Sequence, residues 1–459
     1  MPATVPAEIF KAYDIRGVYG DEIDGDAAEL IGRAFARVLT DLRSKPAADL
    51  RIGLGRDMRL TAPELASRYR DGMVAEGATV LDAGMVGTEM LYFLVGSREL
   101  DGGLMCTASH NPKAYTGAKL VREGALPLSG DAGIGEIRDL VLGGLPAPAG
   151  APGRVEEVDV AAEFRTRALS FIDPAAIRPL KVVLDGGNGM AGPMIGPILE
   201  RLGELELIPT YWEPDGAFPD HEPNPLLPEN RRFVIEKVRA EGADLGIAWD
   251  GDADRCFFID GDGSFVDGDF LTALLARSVL ESHPGAEILY DVRASRAVAD
   301  TVRAAGGTPL VNRVGHAFFK SRMRERGSAF GGEVSGHYYF ADFYAADSGT
   351  LPALLILELL GTTGRTLAEL LEPYRARYFI SGEINSDVDD QAARMRELRA
   401  RYADAETAEL DGISIDYPDW HFNVRPSNTE PLLRLCLESL VSPEHMAEKR
   451  DEVLALIRS

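Results

Sequence analysis

The sequence predicts an α/β protein with three related α/β domains, whose sheets are mixed and largely parallel, followed by a C-terminal α+β domain. Its 459 residues exceed the roughly 250–300 that one hydrophobic core organises, so several domains are expected. A strand–helix–strand pattern recurs three times, which favours parallel strands joined by crossover helices. After about residue 366 the pattern changes to short strands and a closing helix.

Each repeat begins with a short apolar strand, followed by an acidic residue, a helix pattern, a glycine and a second strand. The first strands span 51–55, 181–184 and 287–290, and the glycines are Gly77, Gly203 and Gly306. The helix of the second repeat is expected to run to about Leu202. This arrangement is typical of βα units in a parallel sheet.

A further strand in each repeat leads into a polar loop. Strands at 102–106, 244–249 and 329–332 precede loops at 107–112, 250–255 and 333–337. In α/β sheets, ligands gather beyond the carboxyl ends of the strands. The three loops are therefore candidate parts of a functional site.

The C-terminal region carries a fourth polar loop at 425–431. Strand-like runs at 413–417, 421–424 and 432–437 surround it, and the closing helix begins near Pro443. A stretch rich in Gly, Pro and Ala at 143–153 has no hydrophobic periodicity and is typical of a linker. We predict domains at 1–150, 151–256, 257–367 and 368–459.

Composition narrows the classes of partner. A net charge of −25 argues against nucleic acid or an anionic membrane as partner. No apolar run approaches the roughly 20 residues of a membrane-spanning helix, and 351–360 is expected to be a core helix. The N-terminus lacks signal-peptide features, and three cysteines without a CxxC pair indicate neither a disulfide framework nor a zinc site. A cytoplasmic location is expected.

Three aspartates follow the strand at 244–249. Asp250, Asp252 and Asp254 are two residues apart, so a curled loop can direct three carboxylates at one point. Hard oxygen donors without histidine or thiolate suit Mg²⁺ or Mn²⁺. An EF-hand is excluded because Arg255 and Gly261 occupy the positions of its glycine and glutamate. A solvated acidic turn is the alternative.

The other three loops are ambiguous by themselves. Ser109 precedes His110, Asn111 and Pro112, a pattern that also suits a turn or a helix cap, and no Gly-x-Ser-x-Gly elbow surrounds it. A serine phosphate opposite a divalent ion is the functional alternative.

The loop at 425–431 can bind a phosphate, because Arg425 offers a guanidinium and Ser427, Asn428 and Thr429 offer polar groups, but a polar turn fits equally well. The segment that contains Glu333, Ser335 and His337 is expected to be extended, with these three side chains on one side. An exposed strand end is the alternative there.

Together the four loops resemble the α-D-phosphohexomutase superfamily, and within it the bacterial phosphomannomutase/phosphoglucomutase group. The match runs from 11–17 to 425–431 and covers nearly the whole chain. The resemblance implies four domains, three of them related, around a central cleft. The order of the four loops makes it specific.

The resemblance also implies residue roles in the reaction. Ser109 would be the phosphoserine and would ligate Mg²⁺ together with Asp250, Asp252 and Asp254. Lys119 would handle the proton of the substrate hydroxyl. The other implied catalytic positions are His110, Arg255, which would lie beside the phosphoserine, and His316.

Substrate binding is implied for a second set of residues. Glu333 and Ser335 would hold the sugar O3 and O4 hydroxyls. Arg425, Ser427, Asn428 and Thr429 would grip the phosphate that does not react. The remaining positions are Tyr13, Arg16, Arg293, Lys320 and His337, whose basic members supply the local positive charge that an acidic chain needs to bind a sugar phosphate.

The implied reaction is reversible transfer of a phosphoryl group between O1 and O6 of a hexose phosphate, through phosphoserine and a hexose 1,6-bisphosphate. The resemblance implies one Mg²⁺ per chain, hexose 1,6-bisphosphate as activator, and mannose or glucose 1- and 6-phosphates as substrates. The run 336–349 is nearer the mannose group, which favours phosphomannomutase. Phosphoglucomutase or dual specificity stays open, because the two sugars share O3 and O4.

Three positions depart from the pattern. Thr116 replaces an expected Asn, Arg293 replaces an expected Lys, and Val334 stands where glucosamine-type members carry Gln. Val334 weakens the phosphoglucosamine mutase interpretation, and the replacement of the expected Lys leaves the role of Arg293 open. A Mg²⁺-dependent sugar phosphatase and a catalytically silent sugar-phosphate sensor are the alternatives outside the mutases.

Overall fold

The computed structural model describes residues 5–129, 133–427 and 432–459. The chain divides into two compact units. The first comprises Met1–Val266 and Ser335–Thr366, and the second comprises Asp267–Val334 and Leu367–Ser459. The predicted domain boundaries stay a prediction.

Helices and strands alternate through most of the described chain. The helices are α1 Gly25–Arg43, α2 Ala62–Ala75, α3 Thr88–Ser97, α4 Ile134–Gly143, α5 Ala161–Leu169, α6 Ala191–Leu199, α7 Pro228–Glu241, α8 Gly268–Ser282, α9 Arg296–Ala304, α10 His316–Arg326, α11 Thr350–Thr363, α12 Leu367–Arg375, α13 Gln391–Arg401 and α14 Pro443–Arg458. The strands are β1 Ile15–Val18, β2 Arg51–Arg56, β3 Thr79–Met85, β4 Gly102–Cys106, β5 Tyr115–Arg122, β6 Leu126–Pro127, β7 Arg154–Glu157, β8 Leu180–Asp185, β9 Leu205–Thr210, β10 Leu245–Trp249, β11 Cys256–Asp260, β12 Glu287–Asp291, β13 Thr308–Asn312, β14 Phe330–Gly332, β15 Tyr338–Phe340, β16 Ala346–Asp347, β17 Phe379–Asp387, β18 Glu406–Ala408, β19 Ile413–Asp416, β20 Trp420–Pro426 and β21 Leu432–Ser439.

The first unit contains two mixed sheets. One has the order β1-β5-β4-β2-β3-β7, and the other has the order β11-β10-β8-β9. Strands β2 and β8 each pair in parallel with both neighbours, while β5 and β11 run antiparallel to β4 and β10. The central strands are continuous apolar runs because helices cover both faces of such sheets; β4 and β10 are buried along their whole length.

The second unit combines a parallel arrangement with an antiparallel one. Strand β12 pairs in parallel with β13 and β14. The C-terminal sheet has the order β17-β21-β20-β19-β18, and its neighbouring strands are antiparallel. On β21 the buried Leu433, Leu435 and Leu437 alternate with more polar neighbours, as expected for a sheet with one face on a core.

The threefold repeat is confirmed in the strand order. The third, first and second strands of each repeat lie side by side as β4-β2-β3, β10-β8-β9 and β14-β12-β13. The polar loops follow β4, β10 and β14, so each begins at the carboxyl end of a parallel strand. The predicted α/β fold class with a smaller α+β region is therefore confirmed.

Two local predictions were wrong. Helix α6 ends at Leu199 rather than near Leu202, because the chain from Glu200 turns towards β9. The segment 333–337 is not extended. It turns at 334–336, with Gly336 at φ +87°, so Glu333, Ser335 and His337 do not alternate on one side of a strand.

The expectation of a core helix at 351–360 was correct. Helix α11 contains the run 351–360 and is largely buried. Residues 260–263 form a turn in which the Asp260 amide donates to the Ser264 carbonyl at 2.9 Å. The three cysteines are free thiols. Within the described ranges, no helix has the length and apolar character required to cross a membrane.

Candidate active site

Ser109 lies in the loop after β4 and points at the aspartate loop after β10. Its Oγ donates a hydrogen bond to Asp250 Oδ2 at 2.8 Å, and the residue is 4% exposed. Its backbone has φ +49°, in the left-handed region that costs a non-glycine residue about 1–3 kcal/mol. The loop must therefore be held by its surroundings.

Hydrogen bonds from β2 and its following residues hold the serine loop. The Ser109 amide donates to Thr107 Oγ1 at 2.8 Å, and that hydroxyl donates to Asp57 Oδ2 at 2.7 Å. Asp57 is fully buried and also accepts the Arg59 amide. The chain from β2 thus fixes the backbone on which the serine sits.

Arg59 makes the largest set of contacts with this loop. Its two terminal nitrogens donate to four backbone carbonyls at 2.7–3.2 Å, those of Ser109, Asn111, Pro112 and Tyr115. Arg59 is 2% exposed, and its Nε lies 3.3 Å from Asp57 Oδ2. Sequence reasoning missed Arg59, although an Asp-x-Arg directly after a parallel strand was the available signal.

The three aspartates converge as predicted. Asp250, Asp252 and Asp254 are fully buried, and one oxygen of each lies within 4.8 Å of the others. Asp252 Oδ1 and Asp254 Oδ1 are buried without a hydrogen-bond partner. Unsatisfied carboxylate oxygens that face one another fit a hard divalent cation. These residues could hold a metal ion.

Lys119 on β5 lies between two of the aspartates. Its Nζ is 2.7 Å from Asp252 Oδ2 and also contacts Asp254 Oδ2. Burial alone would lower the pKa of Lys119, but the charges of Asp252 and Asp254 outweigh it and raise the pKa above its usual value. Lys119 is therefore a cation in this arrangement.

The two carboxyl groups beside Lys119 respond in opposite ways. Burial acts to raise the pKa of Asp252, but Lys119 and a hydrogen bond from Thr88 outweigh it and lower the pKa. For Asp254, burial and the charge of Asp252 raise the pKa to about 6. Asp252 therefore stays ionised, whereas Asp254 is easily protonated.

Arg255 and His110 flank the serine. Arg255 Nε donates to Asp250 Oδ2 at 2.8 Å, so the same oxygen accepts from Arg255 and from Ser109. His110 Nδ1 is 3.3 Å from Ser109 Oγ. Burial and the nearby Arg255 hold the pKa of His110 well below its usual value, so its imidazole is neutral. His110 therefore lies beside Ser109, and Arg255 shares a carboxylate with it.

Helix α3 contributes two residues that sequence reasoning missed. The Thr88 hydroxyl donates to Asp252 Oδ2, and its amide donates to the Asp252 carbonyl at 3.1 Å. Glu89 is fully buried and accepts hydrogen bonds from the hydroxyls of Ser348 and Thr350. Burial raises the pKa of Glu89 to about 8. No motif in the sequence indicated that α3 begins beside the aspartates.

His337 also belongs to the first unit and faces Asp254. Its Nδ1 is 3.0 Å from Asp347 Oδ2, and ligand atoms of Asp254, His337 and Asp347 lie within 4.8 Å of one another. Burial acts to lower the pKa of His337, but Asp347 and Asp254 outweigh it and raise the pKa. Its charged form is therefore favoured near the aspartates.

The second unit holds Arg293 and Glu333. Arg293 makes a two-pronged contact with Asp291, with Nε 3.0 Å from Oδ1 and Nη2 2.8 Å from Oδ2. The same Nη2 is 3.9 Å from Glu333 Oε2, which also accepts the Gly315 amide at 2.7 Å. An arginine at this position can contact both carboxylates because its planar fork carries five N–H donors.

Arg425 lies in the second unit at the end of β20. Its Nη2 donates to Glu383 Oε2 at 3.1 Å. Ser427, two residues on, donates its amide to the Leu432 carbonyl at 2.8 Å, which closes the loop. Asn428 and Thr429 lie outside the described residues. Glu383 was not among the predicted site residues.

The remaining predicted residues fall in both units. Tyr13 is half-buried before β1, and Arg16 on β1 donates to the Thr107 carbonyl in the serine loop. Ser335 is half-buried in the turn after Glu333. His316 begins α10, and Lys320 lies one turn later with no exposed surface. Arg16 thus joins the serine loop, whereas His316 and Lys320 belong to the second unit.

The structure therefore brings together one set of predicted residues in the first unit. These are Ser109, His110, Lys119, Asp250, Asp252, Asp254 and Arg255. A hydroxyl that faces carboxylates and buried cations can carry a phosphoryl group, since its charge would be balanced by Arg255, Lys119 and a cation at the aspartates.

Comparison with known proteins matches most of the chain to one family. It matches the family described as phosphoglucomutase/phosphomannomutase in all four parts: alpha/beta/alpha domain I over residues 7–143, domain II over 162–263, domain III over 267–378 and the C-terminal domain over 383–456.

Individual relatives are similar over nearly their full length. A protein named "Phosphohexose mutases" from Xanthomonas campestris pv. campestris is 44% identical, over 99% of this chain and 100% of the relative. A phosphomannomutase from Salmonella montevideo is 43% identical, over 98% and 99%. The crystal structure of a phosphoglucomutase/phosphomannomutase family protein from Burkholderia thailandensis superposes with a TM-score of 0.89 at 35% identity, covering 98% of this chain and 97% of that one.

Proposed function

The chain belongs to the phosphoglucomutase/phosphomannomutase family and is a phosphohexomutase, and we propose that its principal substrates are mannose 1-phosphate and mannose 6-phosphate. The observation that carries the catalytic part of this proposal is the 2.8 Å contact between Ser109 Oγ and Asp250. It supports Ser109 as the phosphoryl carrier beside the aspartate cluster. The names of the relatives support mannose as the sugar.

In the proposed reaction, phosphorylated Ser109 donates its phosphoryl group to the free O6 or O1 of the sugar phosphate. The P–Oγ bond breaks as the new P–O bond forms, and the hydroxyl of the sugar loses its proton. The hexose 1,6-bisphosphate then reverses its orientation in the site, and its other phosphoryl group is transferred to Ser109. The same bisphosphate would act as activator by phosphorylating a free Ser109.

Asp250, Asp252 and Asp254 would hold Mg²⁺, which neutralises charge on the transferring group when it is bound. Arg255 shares Asp250 with Ser109 and can stabilise the same phosphoryl oxygens. His110 is neutral and close to Ser109 Oγ, so it can orient that oxygen without adding charge.

Lys119 would handle the proton of the substrate hydroxyl. It carries its proton in this structure because Asp252 and Asp254 raise its pKa. Loss of those two contacts would lower the pKa and allow Lys119 to accept a proton. The proposed role of Lys119 in proton transfer therefore depends on whether Asp252 and Asp254 contact Lys119 or a bound metal ion.

Sugar recognition is proposed for a separate set of residues. Glu333 and Ser335 would bind O3 and O4 of the sugar, and His337 would also bind the substrate. Arg425 with Ser427 would bind the phosphate that does not react. Arg425 is nearly buried yet charged, which suits an anion site. The proposed sugar contacts are common to mannose and glucose, so activity with glucose phosphates is also expected.

The test is phosphorus NMR of purified protein with Mg²⁺ and a trace of glucose 1,6-bisphosphate, with mannose 1-phosphate and glucose 1-phosphate offered separately. We expect both 6-phosphates, with mannose the faster. Ser109→Ala should be inactive, while Ser170→Ala, on the exposed end of α5, should match the wild type.

Other outcomes would replace the proposal. Faster turnover of glucose would make the enzyme principally a phosphoglucomutase. Release of inorganic phosphate alone would indicate a phosphatase. Binding without turnover of either sugar would contradict the mannose assignment and would direct the search to glucosamine phosphates.

A further inference from the structure

Glu383 on β17 is contacted by three arginines. Its Oε2 is 3.3 Å from Arg293 Nη1 and 3.1 Å from Arg425 Nη2, and its Oε1 is 3.2 Å from Arg434 Nη1. The side chain of Glu383 is 23% exposed, so these contacts are only partly screened by water. One carboxylate therefore contacts three guanidinium groups.

The register of the C-terminal sheet explains why a carboxylate is needed there. Arg425 on β20 lies directly opposite Arg434 on β21. Like charges opposite each other on neighbouring strands destabilise a sheet. Glu383 pairs with Cys436, two residues from Arg434, so it lies on the same face as both arginines.

A bulge in β17 directs Glu383 to this position. The pairing of β17 with β21 shifts register between Ile380 and Glu383, and Gly382 has φ +68°. Such bulges redirect a side chain and are common beside functional sites. A residue with a Cβ would be strained at position 382, so the orientation of the Glu383 side chain depends on the glycine.

Glu383 connects to the proposed phosphate ligands and to a proposed sugar ligand. On one side, Arg425 is itself a proposed phosphate ligand, and Arg434 donates to Ser427 of the same loop at 3.5 Å. On the other side, Arg293 lies between Glu383 and the proposed sugar ligand Glu333. A cavity of about 20 Å³ adjoins Arg293 and Glu383.

We propose that Glu383 is a positioning residue that joins the phosphate loop at 425–431 to the sugar-binding Glu333, through Arg425 and Arg434 on one side and Arg293 on the other. This rests on the proposed function, because it takes Glu333 and Arg425 as substrate ligands. It also gives Arg293 a role that a lysine could not fill, because only a guanidinium can bind Asp291 with two nitrogens and still reach Glu383.

The proposal predicts opposite effects on two ligands. Without Glu383, three arginines lose their shared counter-charge, so a simple anion such as inorganic phosphate should bind more tightly. A sugar phosphate needs Arg425 and Glu333 in fixed positions, so its productive binding should weaken. A loss of folding would weaken both.

The experiment compares Glu383→Gln with the wild type and with Glu372→Gln, a control on the exposed face of α12. Calorimetry measures the Kd of inorganic phosphate, and a coupled assay measures kcat and KM for mannose 1-phosphate. For Glu383→Gln we expect KM to rise about tenfold with kcat changed less than about threefold, and the Kd of phosphate to fall about threefold. Glu372→Gln should behave as the wild type.

Two further variants keep the test decisive. Glu383→Asp retains the charge and should recover part of the KM, and Arg293→Lys should raise KM about threefold without tightening phosphate binding. An unchanged KM, or a KM and a phosphate Kd that rise together with a fall in Tm, would overturn the proposal. If the wild type shows no mutase turnover, the proposed function fails, and the phosphate Kd alone still decides whether Glu383 controls the arginines.

Discussion

In the first unit, Ser109 lies beside a group of carboxylates, whereas in the second unit a single carboxylate, Glu383, is shared by three arginines. The aspartates leave two buried oxygens without hydrogen-bond partners, which suits a cation. The arginines around Glu383 suit an anion. The two regions therefore have opposite charge balance.

Two glutamates show how this contrast affects titration. Glu89 is buried beside hydroxyls, and burial raises its pKa to about 8. Burial also acts to raise the pKa of Glu383, but Arg293, Arg425 and Arg434 outweigh it and lower the pKa. The same residue type thus favours its neutral form in one region and its charged form in the other.

The largest expected effect comes from the aspartate cluster. Asp252→Asn removes a charge that both Lys119 and a cation would contact. We expect kcat/KM to fall on the order of 10³-fold, since charge neutralisation by a metal supplies several kcal/mol. Steady-state assays over a Mg²⁺ series measure this. Asp262→Asn, in the exposed turn after β11, is the matched control, and equal activity of the two variants would contradict the metal assignment.

The next effect concerns the support of the serine loop. Arg59→Met removes three hydrogen bonds to the serine loop and one to the start of β5, and it leaves the buried Asp57 without its ion pair. We expect a loss of about 3 kcal/mol in unfolding free energy and about 10²-fold in kcat from misplacement of Ser109. Denaturant unfolding and kinetics below the transition measure both.

Arg232→Met, at an exposed position on α7, should change neither quantity. If Arg59→Met lost stability yet kept full kcat at a temperature where it is folded, Arg59 would support the fold and not the serine.

A moderate effect is expected at Lys119. Lys119→Met removes the cation that lies between Asp252 and Asp254, so the carboxylates repel one another more strongly without metal. Mg²⁺ should then raise the Tm of the variant by more than it raises that of the wild type. Thermal unfolding with and without Mg²⁺ measures the difference, and a smaller shift in the variant would argue that Lys119 and Mg²⁺ do not compete for the same oxygens.

The smallest effect is a pH dependence at Glu89. Because the folded-state pKa lies above the unfolded value, the folded protein holds the proton between about pH 4.5 and 8, and stability is lost as the pH rises through that window. Glu89→Gln removes this dependence. The Tm of the variant relative to the wild type should therefore be more favourable at pH 8 than at pH 5.5. A difference that is constant with pH would contradict the raised pKa.

Glu383 should show the reverse sign in the same measurement. Its lowered pKa means that its contribution to stability is present above about pH 4.5, its ordinary value, and is lost as the pH falls below that value. The Glu383→Gln variant should therefore be least stable, relative to the wild type, at neutral pH.

The sequence predicted the fold class from local patterns, whereas the meeting of Ser109 with Asp250, Asp252 and Asp254 was implied by the family resemblance. Apolar strands that end in polar loops are visible in the chain, and parallel strands bring their carboxyl ends together. Thr88, Glu89 and Glu383 were missed for a common reason. Their roles depend on contacts between elements far apart in sequence, such as Thr88 with Asp252, which no periodicity or spacing reveals.

The turn at 333–337 illustrates a different limit. Alternating polar residues after β14 favoured an extended segment, yet Gly336 adopts φ +87° and the chain turns. A glycine within such a run permits both conformations. The choice between them depends on packing, since a side chain at Gly336 would meet the ring of Phe257 at 2.6 Å.

Isotopic labelling shows whether Ser109 carries the phosphoryl group. The protein is incubated with Mg²⁺ and glucose 1,6-bisphosphate labelled in both phosphates, and the labelled peptide is identified before and after a single turnover with mannose 1-phosphate. We expect label on Ser109 that passes to the sugar at least as fast as kcat. Label on another residue, no label, or transfer slower than turnover would contradict it.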